Sequence, residues 1–100
     1  MNYRLSPAAQ KDMDDLWLFI ARDNISAADH FISKVMDKFS KIAAHPNLGR
    51  VCEEVGKDFQ RFPVDAYVIF YRIKPKFIEI VRILHSARDI ESILKKEDFQ

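Results

Sequence analysis

The sequence predicts an α+β domain in which an N-terminal helical hairpin packs on one face of a small antiparallel sheet. Three observations carry that expectation. Residues 67–73 and 77–84 are dense in β-branched and aromatic side chains, and Lys74-Pro75-Lys76 joins them. That is a strand, a turn whose proline presets the φ of a corner, and a second strand. Met13, Leu16, Trp17 and Ile20 recur at i, i+3, i+4 and i+7, the stripe of an amphipathic helix. Ala28, Phe31, Ile32, Val35, Phe39, Ile42 and Ala43 repeat these steps after a short Asn24-Ile25 link, which implies two antiparallel helices.

Each element has a local cause. Residues 3–5 form a short strand. Ser6-Pro7 then starts a helix, because serine caps free amides and proline is tolerated in the first turn. Ser26 is expected to cap the second helix, with Asp29 favoured near its positive end. Pro46 and Gly49 end that helix, and residues 47–58 read as a loop. Residues 59–62 form a strand closed by Pro63, and the hairpin follows. Asp89 can cap a short final helix through Lys96, with Ile90, Ile93 and Leu94 apolar. The order is β-α-α-β-β-β, with this final α. Both long helices carry one apolar stripe, so the other face of the sheet is expected to be free. The final helix is too short to be stable alone, so it depends on docking and is expected to be the least stable element.

Composition bounds the function. The 100 residues make a single domain, 1–100, and no apolar run approaches the ~18 residues of a membrane span. Cys52 stands alone, which excludes an internal disulfide and fits a reducing cytoplasm. Glu53 and Glu54 follow it directly and oppose a thiolate, so the thiol is read as structural. The net charge of +1 lacks the basic excess of a strong nucleic-acid binder. It hides an asymmetry. Arg61, Arg72, Lys74, Lys76, Arg82 and Arg88 outnumber Asp65 and Glu79 in the sheet half, whereas Asp12, Asp14 and Asp15 lie close together in the first helix. A basic sheet can meet an acidic partner segment.

No cofactor or metal is implied. His30, His45 and His85 lack ligand spacing, and Gly49 and Gly56 are too few for a phosphate loop. Trp17, Tyr67 and Tyr71 read as packing. Arg61, Arg82, His85 and Arg88 are the set with chemical potential. In one reading they are surface arginines and a strand-ending histidine. In the other they cluster at one end of an open sheet face, where arginines bind phosphate or clamp a partner's carboxylate.

The segments YRLSPAAQKDMDDLWLFI, AADHFISKVMDKFSKIAAHPNLGR, RFPVDAYVIFYRI and IEIVRILHSARD add a further signal. Their Leu-Ser-Pro start, His-Pro-x-x-Gly-Arg helix exit, Tyr-x-Ile-x-Tyr strand and His-x-x-Arg-Asp ending come in the order and spacing of the bacterial RelE/ParE toxin superfamily. The chain resembles its ParE branch nearly end to end. The resemblance implies the toxin of a type II toxin–antitoxin module. Such a toxin binds DNA gyrase and is neutralised by a ParD-like antitoxin, with which it can form a hetero-oligomer. It implies Arg61, Arg82, His85, Arg88 and Asp89 as residues of partner binding or toxicity. The alternative is a RelE-like, ribosome-dependent messenger-RNA endonuclease using Arg61, His85 and Arg88. The sequence departs from that pattern at Phe59, Val68 and Leu94, where RelE-like members carry two basic residues and a tyrosine. Valine and leucine neither transfer a proton nor stabilise a phosphorane.

Overall fold

The structure is a computed structural model that describes residues 1–56 and 58–96. The elements are β1 (Asn2–Leu5), α1 (Pro7–Ala21), α2 (Ile25–Ala44), β2 (Arg50–Val51), β3 (Phe59–Val64), β4 (Tyr67–Ile73), β5 (Phe77–His85) and α3 (Ile90–Lys96). The sheet order is β1-β5-β4-β3-β2. β2 to β5 pair antiparallel, as expected of the hairpin region. β1 pairs with β5 in parallel, Asn2 opposite Phe77 through Leu5 opposite Ile80, so the sheet is mixed. The chain between these parallel neighbours runs through both helices and through β2, β3 and β4, more than the crossover length a parallel pair needs.

The helix starts follow capping chemistry. Ser6 Oγ accepts from the Ala9 N–H at 3.0 Å at the start of α1. The second helix is capped by Asn24, not Ser26: its side chain accepts from the Ala27 N–H at 2.9 Å, and Ile25 is already helical. Asparagine one residue into the link reaches the free amides first. Asp29 instead accepts from the Trp17 indole N–H at 2.7 Å, tying the two helices together.

The segment expected to be a loop contains two 3-10 turns, Pro46–Leu48 and Glu53–Val55, with β2 between them. Tyr71 is the reason for this order. Its buried hydroxyl accepts from the Gly49 N–H at 2.8 Å and lies 2.7 Å from the Pro46 carbonyl and 2.9 Å from Gln60 Oε1. A Cβ on Gly49 would strike that hydroxyl and come within 2.8 Å of the Arg61 carbonyl oxygen. The His-Pro-x-x-Gly-Arg exit is therefore a turn moulded onto a tyrosine. Strand β3 also runs through Pro63 to Val64. β2 pairs only with Gln60 and Arg61, so the missing proline N–H falls on an open edge.

A bulge decides which side chains face the helices. The β4–β5 register passes from Phe70 opposite Arg82 to Tyr71 opposite Ile80. Strict alternation would put Arg82 beneath the helices. The extra residue puts Ile78, Ile80 and Ile83 there, against Met13, Leu16, Val35 and Phe39. The opposite face is not free. Phe59, Val68, Phe70, Val81 and Leu84 form a second core there with Cys52, Val55 and Leu94. It is closed by the 3-10 turn at Glu53–Val55 and by α3, because an apolar sheet face of this size must be covered. Across its surface Arg72 pairs with Glu79 at 2.7 Å and lies over the Phe59 ring.

β1 is too short to cover β5, and side chains continue where it stops. Ser6 donates its N–H to the Ile80 carbonyl and its hydroxyl to the Val81 carbonyl, at 2.9 and 2.8 Å. One turn into α1, Asp12 Oδ2 accepts the Ile83 N–H at 3.0 Å. The same carboxylate holds the Arg82 guanidinium with contacts of 2.7 and 2.9 Å, and both side chains are nearly buried.

Asp12→Ala should therefore lower urea-measured stability by about 3 kcal/mol, because it removes the carboxylate that offsets a nearly buried guanidinium and the acceptor of the Ile83 N–H. Asp15→Ala, which breaks the exposed pair to Lys11, should change it by under about 1 kcal/mol. Burial also holds the Tyr71 phenol above its usual value near 10, partly opposed by the Gly49 N–H. Its contribution to stability is complete below the unfolded value of about 10 and is lost as pH rises through the raised folded value. Tyr71→Phe should lower stability at neutral pH and flatten the alkaline part of a stability-against-pH curve.

Candidate partner-binding surface

The expected cluster divides. Arg61 lies on the second-core side, its guanidinium 5.7 Å from the Phe70 ring centroid. His85 lies on the helical side, edge-on to Tyr67 at 5.1 Å, and Tyr67 in turn meets Phe31 of α2 at 5.7 Å. Arg82 turns around the uncovered edge of β5 to Asp12. Arg88 is exposed just beyond β5, and no ion pair joins it to another described residue. The structure thus brings Arg82, His85 and Arg88 to one end of β5 and leaves Arg61 on the opposite face.

The His-x-x-Arg-Asp ending is a turn that converts β5 into α3. His85 Nδ1 accepts the Ala87 N–H at 3.0 Å, and the Arg88 N–H donates to the His85 carbonyl at 3.1 Å. Asp89 accepts the Ser92 N–H at 3.3 Å, which caps α3 as the sequence predicts. With Nδ1 used as an acceptor, the neutral imidazole carries its proton on Nε2. In that tautomer the second ring nitrogen is a donor.

Two hollows meet at this end. One, of about 270 Å³, is lined by Asp12, Asp15, Leu16, Phe19, Tyr67, Ile83, His85 and Arg88. The other, of about 560 Å³ and mostly apolar, lies between Phe19, Ile20, Phe31, Ala66, Tyr67 and His85. Phe19 is 64% exposed, a large apolar side chain with little to cover it. Asp65 takes the left-handed φ of 53° in the β3–β4 turn, and both its oxygens hold Lys34 of α2, so this rim is fixed to the helices. A separate groove of about 310 Å³ runs between α1 and α2 beside β1, lined by Tyr3, Met13, Trp17, Ile32 and Met36, with Gln10 and Asp14 on its rim.

Phe19 carries no signal in the sequence, and Asp12 reads there only as one of three clustered acids. Asp12 had a further signal: with Ala9, Met13 and Leu16 it completes an i, i+3, i+4, i+7 set, a carboxylate at a core position. Among the described residues no group of three or more His, Cys, Asp and Glu could hold a metal, and no helix is long and apolar enough to cross a membrane. Cys52 is fully buried, and burial, with Glu54 beside it, pushes its thiol up.

Comparison with known proteins places this geometry. Residues 3–90 match the family model described as ParE toxin of type II toxin–antitoxin system, parDE. Toxin ParE1 of Mycobacterium tuberculosis is 29% identical over 91 residues, covering 89% of this chain and 93% of its own. Toxin ParE1 of Caulobacter vibrioides is 30% identical over 93 residues, covering 92% and 96%. Toxin RelE3 of that organism is 31% identical over 83 residues, covering 82% and 90%. A solved structure titled "Chromosomal ParDE TA system from P. aeruginosa" superposes with a TM-score of 0.72 at 18% identity, over 85% of this chain and 95% of that one. It shares the fold.

Leu94 is 2% exposed within the second core, so α3 is part of the structural body as well as its last element. Leu94→Ala should lower stability by about 2–3 kcal/mol in chemical denaturation. Removing residues 90–100 should expose Val68, Phe70 and Leu84, seen as a lower Tm with increased binding of a hydrophobic dye.

Proposed function

The chain belongs to the ParE toxin family of type II toxin–antitoxin systems, and from that premise we propose that it acts by binding DNA gyrase and is neutralised by a ParD-like antitoxin. The reading is that of a binding protein in the cytoplasm, not an enzyme. One observation carries it: the groups a messenger-RNA nuclease would need do not converge. Arg61 and the His85–Arg88 pair lie on opposite faces of the sheet. Val68 and Leu94 are buried in the second core, so neither side chain is open to a substrate. With Nδ1 accepting, the second ring nitrogen of His85 is a donor.

Binding chemistry, in contrast, is present. An apolar groove between the helices and an apolar hollow beside β5 offer large side chains to a partner that folds on contact. In this reading His85 and Arg88 touch a partner directly. Arg61 contributes from the opposite face. Arg82 and Asp89 act by holding Asp12 and α3 in place.

Purified protein should inhibit gyrase supercoiling and accumulate cleaved DNA, while messenger RNA on translating ribosomes stays intact. Codon-specific cleavage in the ribosomal A site, abolished by Arg88→Ala, would establish the RelE-like nuclease instead.

A further inference from the structure

We propose that His85 and Arg88 form a two-donor seat for a carboxylate of the antitoxin, with the apolar hollow at Phe19 and Tyr67 taking the bulky side chain next to it. The inference deepens the proposed function and rests on its antitoxin partner. It starts from a charge inventory of this end of the molecule. Asp12 is matched by Arg82, Asp15 by Lys11 and Asp65 by Lys34. The acids that line the two hollows are therefore already paired. Among the charged residues that line the hollows, Arg88 has no such match with a described residue, while Asp89 next to it is turned to the Ser92 N–H as the cap of α3.

His85 is oriented for the same ligand. Its Nδ1 is occupied by the Ala87 N–H, and its ring is held edge-on to Tyr67. With Nδ1 accepting, the remaining ring nitrogen carries the hydrogen and donates. A hydroxyl or carbonyl could accept from it, but only an anion also answers Arg88. The turn that carries both residues is fixed by the bond from the Arg88 N–H to the His85 carbonyl, so the backbone that presents the two donors is organised before a partner arrives. Phe19 at 64% exposure borders both hollows, so the carboxylate would stand beside a large aliphatic or aromatic residue. The occupant is thus an antitoxin segment with Asp or Glu adjacent to a bulky apolar side chain.

The probe is the purified product of the reading frame adjacent to this gene, titrated calorimetrically against the full-length protein. Arg88→Gln should leave the Tm unchanged and weaken binding about tenfold or more, because it removes a charge-assisted contact. His85→Asn and His85→Gln separate binding from structure. Asparagine keeps a short acceptor for the Ala87 N–H and loses the outward donor. Glutamine places an N–H near the lost one and gives up the turn. The Gln variant should therefore bind more tightly than the Asn variant while melting lower. Arg88→Glu should be rescued by changing one acidic antitoxin residue to Lys, which identifies the seated carboxylate. Wild-type-like binding by Arg88→Gln, or equal binding by the two His85 variants, overturns the seat and leaves the antitoxin reading standing. No binding by the wild type overturns both.

Discussion

The edge of β5 is the constraint on which the rest of this fold depends. A central strand with a partner over only part of its length exposes backbone N–H and C=O groups, and buried groups of that kind must be matched. β1 stops opposite Ile80, and the chain leaves the sheet at Ser6 to begin α1. Ser6 and Asp12 then complete by side chain what β1 began by backbone. That one substitution sets the angle of the first helix against the sheet. It draws Arg82 around the strand edge, and it fixes where α2 and its link to Asp65 can lie. The bulge in β5 belongs to the same solution, since it keeps Ile83 under the helices and Arg82 out of the first core.

A sheet covered on both sides limits what a partner can reach. The second core removes most of one face from contact, and the helices remove most of the other. Among the described residues, hollows remain between the helices, at the end of β5 and beside β2 and β3. The hollows at the end of β5 are apolar and bordered by charged side chains.

The arginines show how pairing sorts charge into structural and available groups. Arg72 and Arg82 are nearly buried and matched by Glu79 and Asp12. Replacing either carboxylate would remove the charge that offsets a guanidinium in a poorly solvated place. Arg88 has the same side chain but stands in solvent beyond the last strand. Equal residue types in one sequence thus have different roles, set by whether a carboxylate comes within reach on folding.

By itself the sequence determined the α+β class, the helical hairpin, the β4–β5 hairpin, the Ser6 and Asp89 caps and the apolar character of α3. These rest on periodicity and on side chains that bond a few residues away, and such signals are local. It also carried the family resemblance, through motifs whose order survives in the fold. Only the tertiary structure decided that β1 joins β5 in parallel, that a bulge shifts the phase of β5, and that a second core closes the face expected to be open. The same holds for the site. Asp12 reaches Arg82 across 70 residues of chain, and Gly49 meets Tyr71 across 22. Arg61 and His85, read as neighbours in function, fall on opposite faces, because strand alternation and a single bulge fix the side a residue takes. Those contacts join elements distant in sequence, and no local pattern encodes which carboxylate will meet which arginine once the helices settle on the sheet.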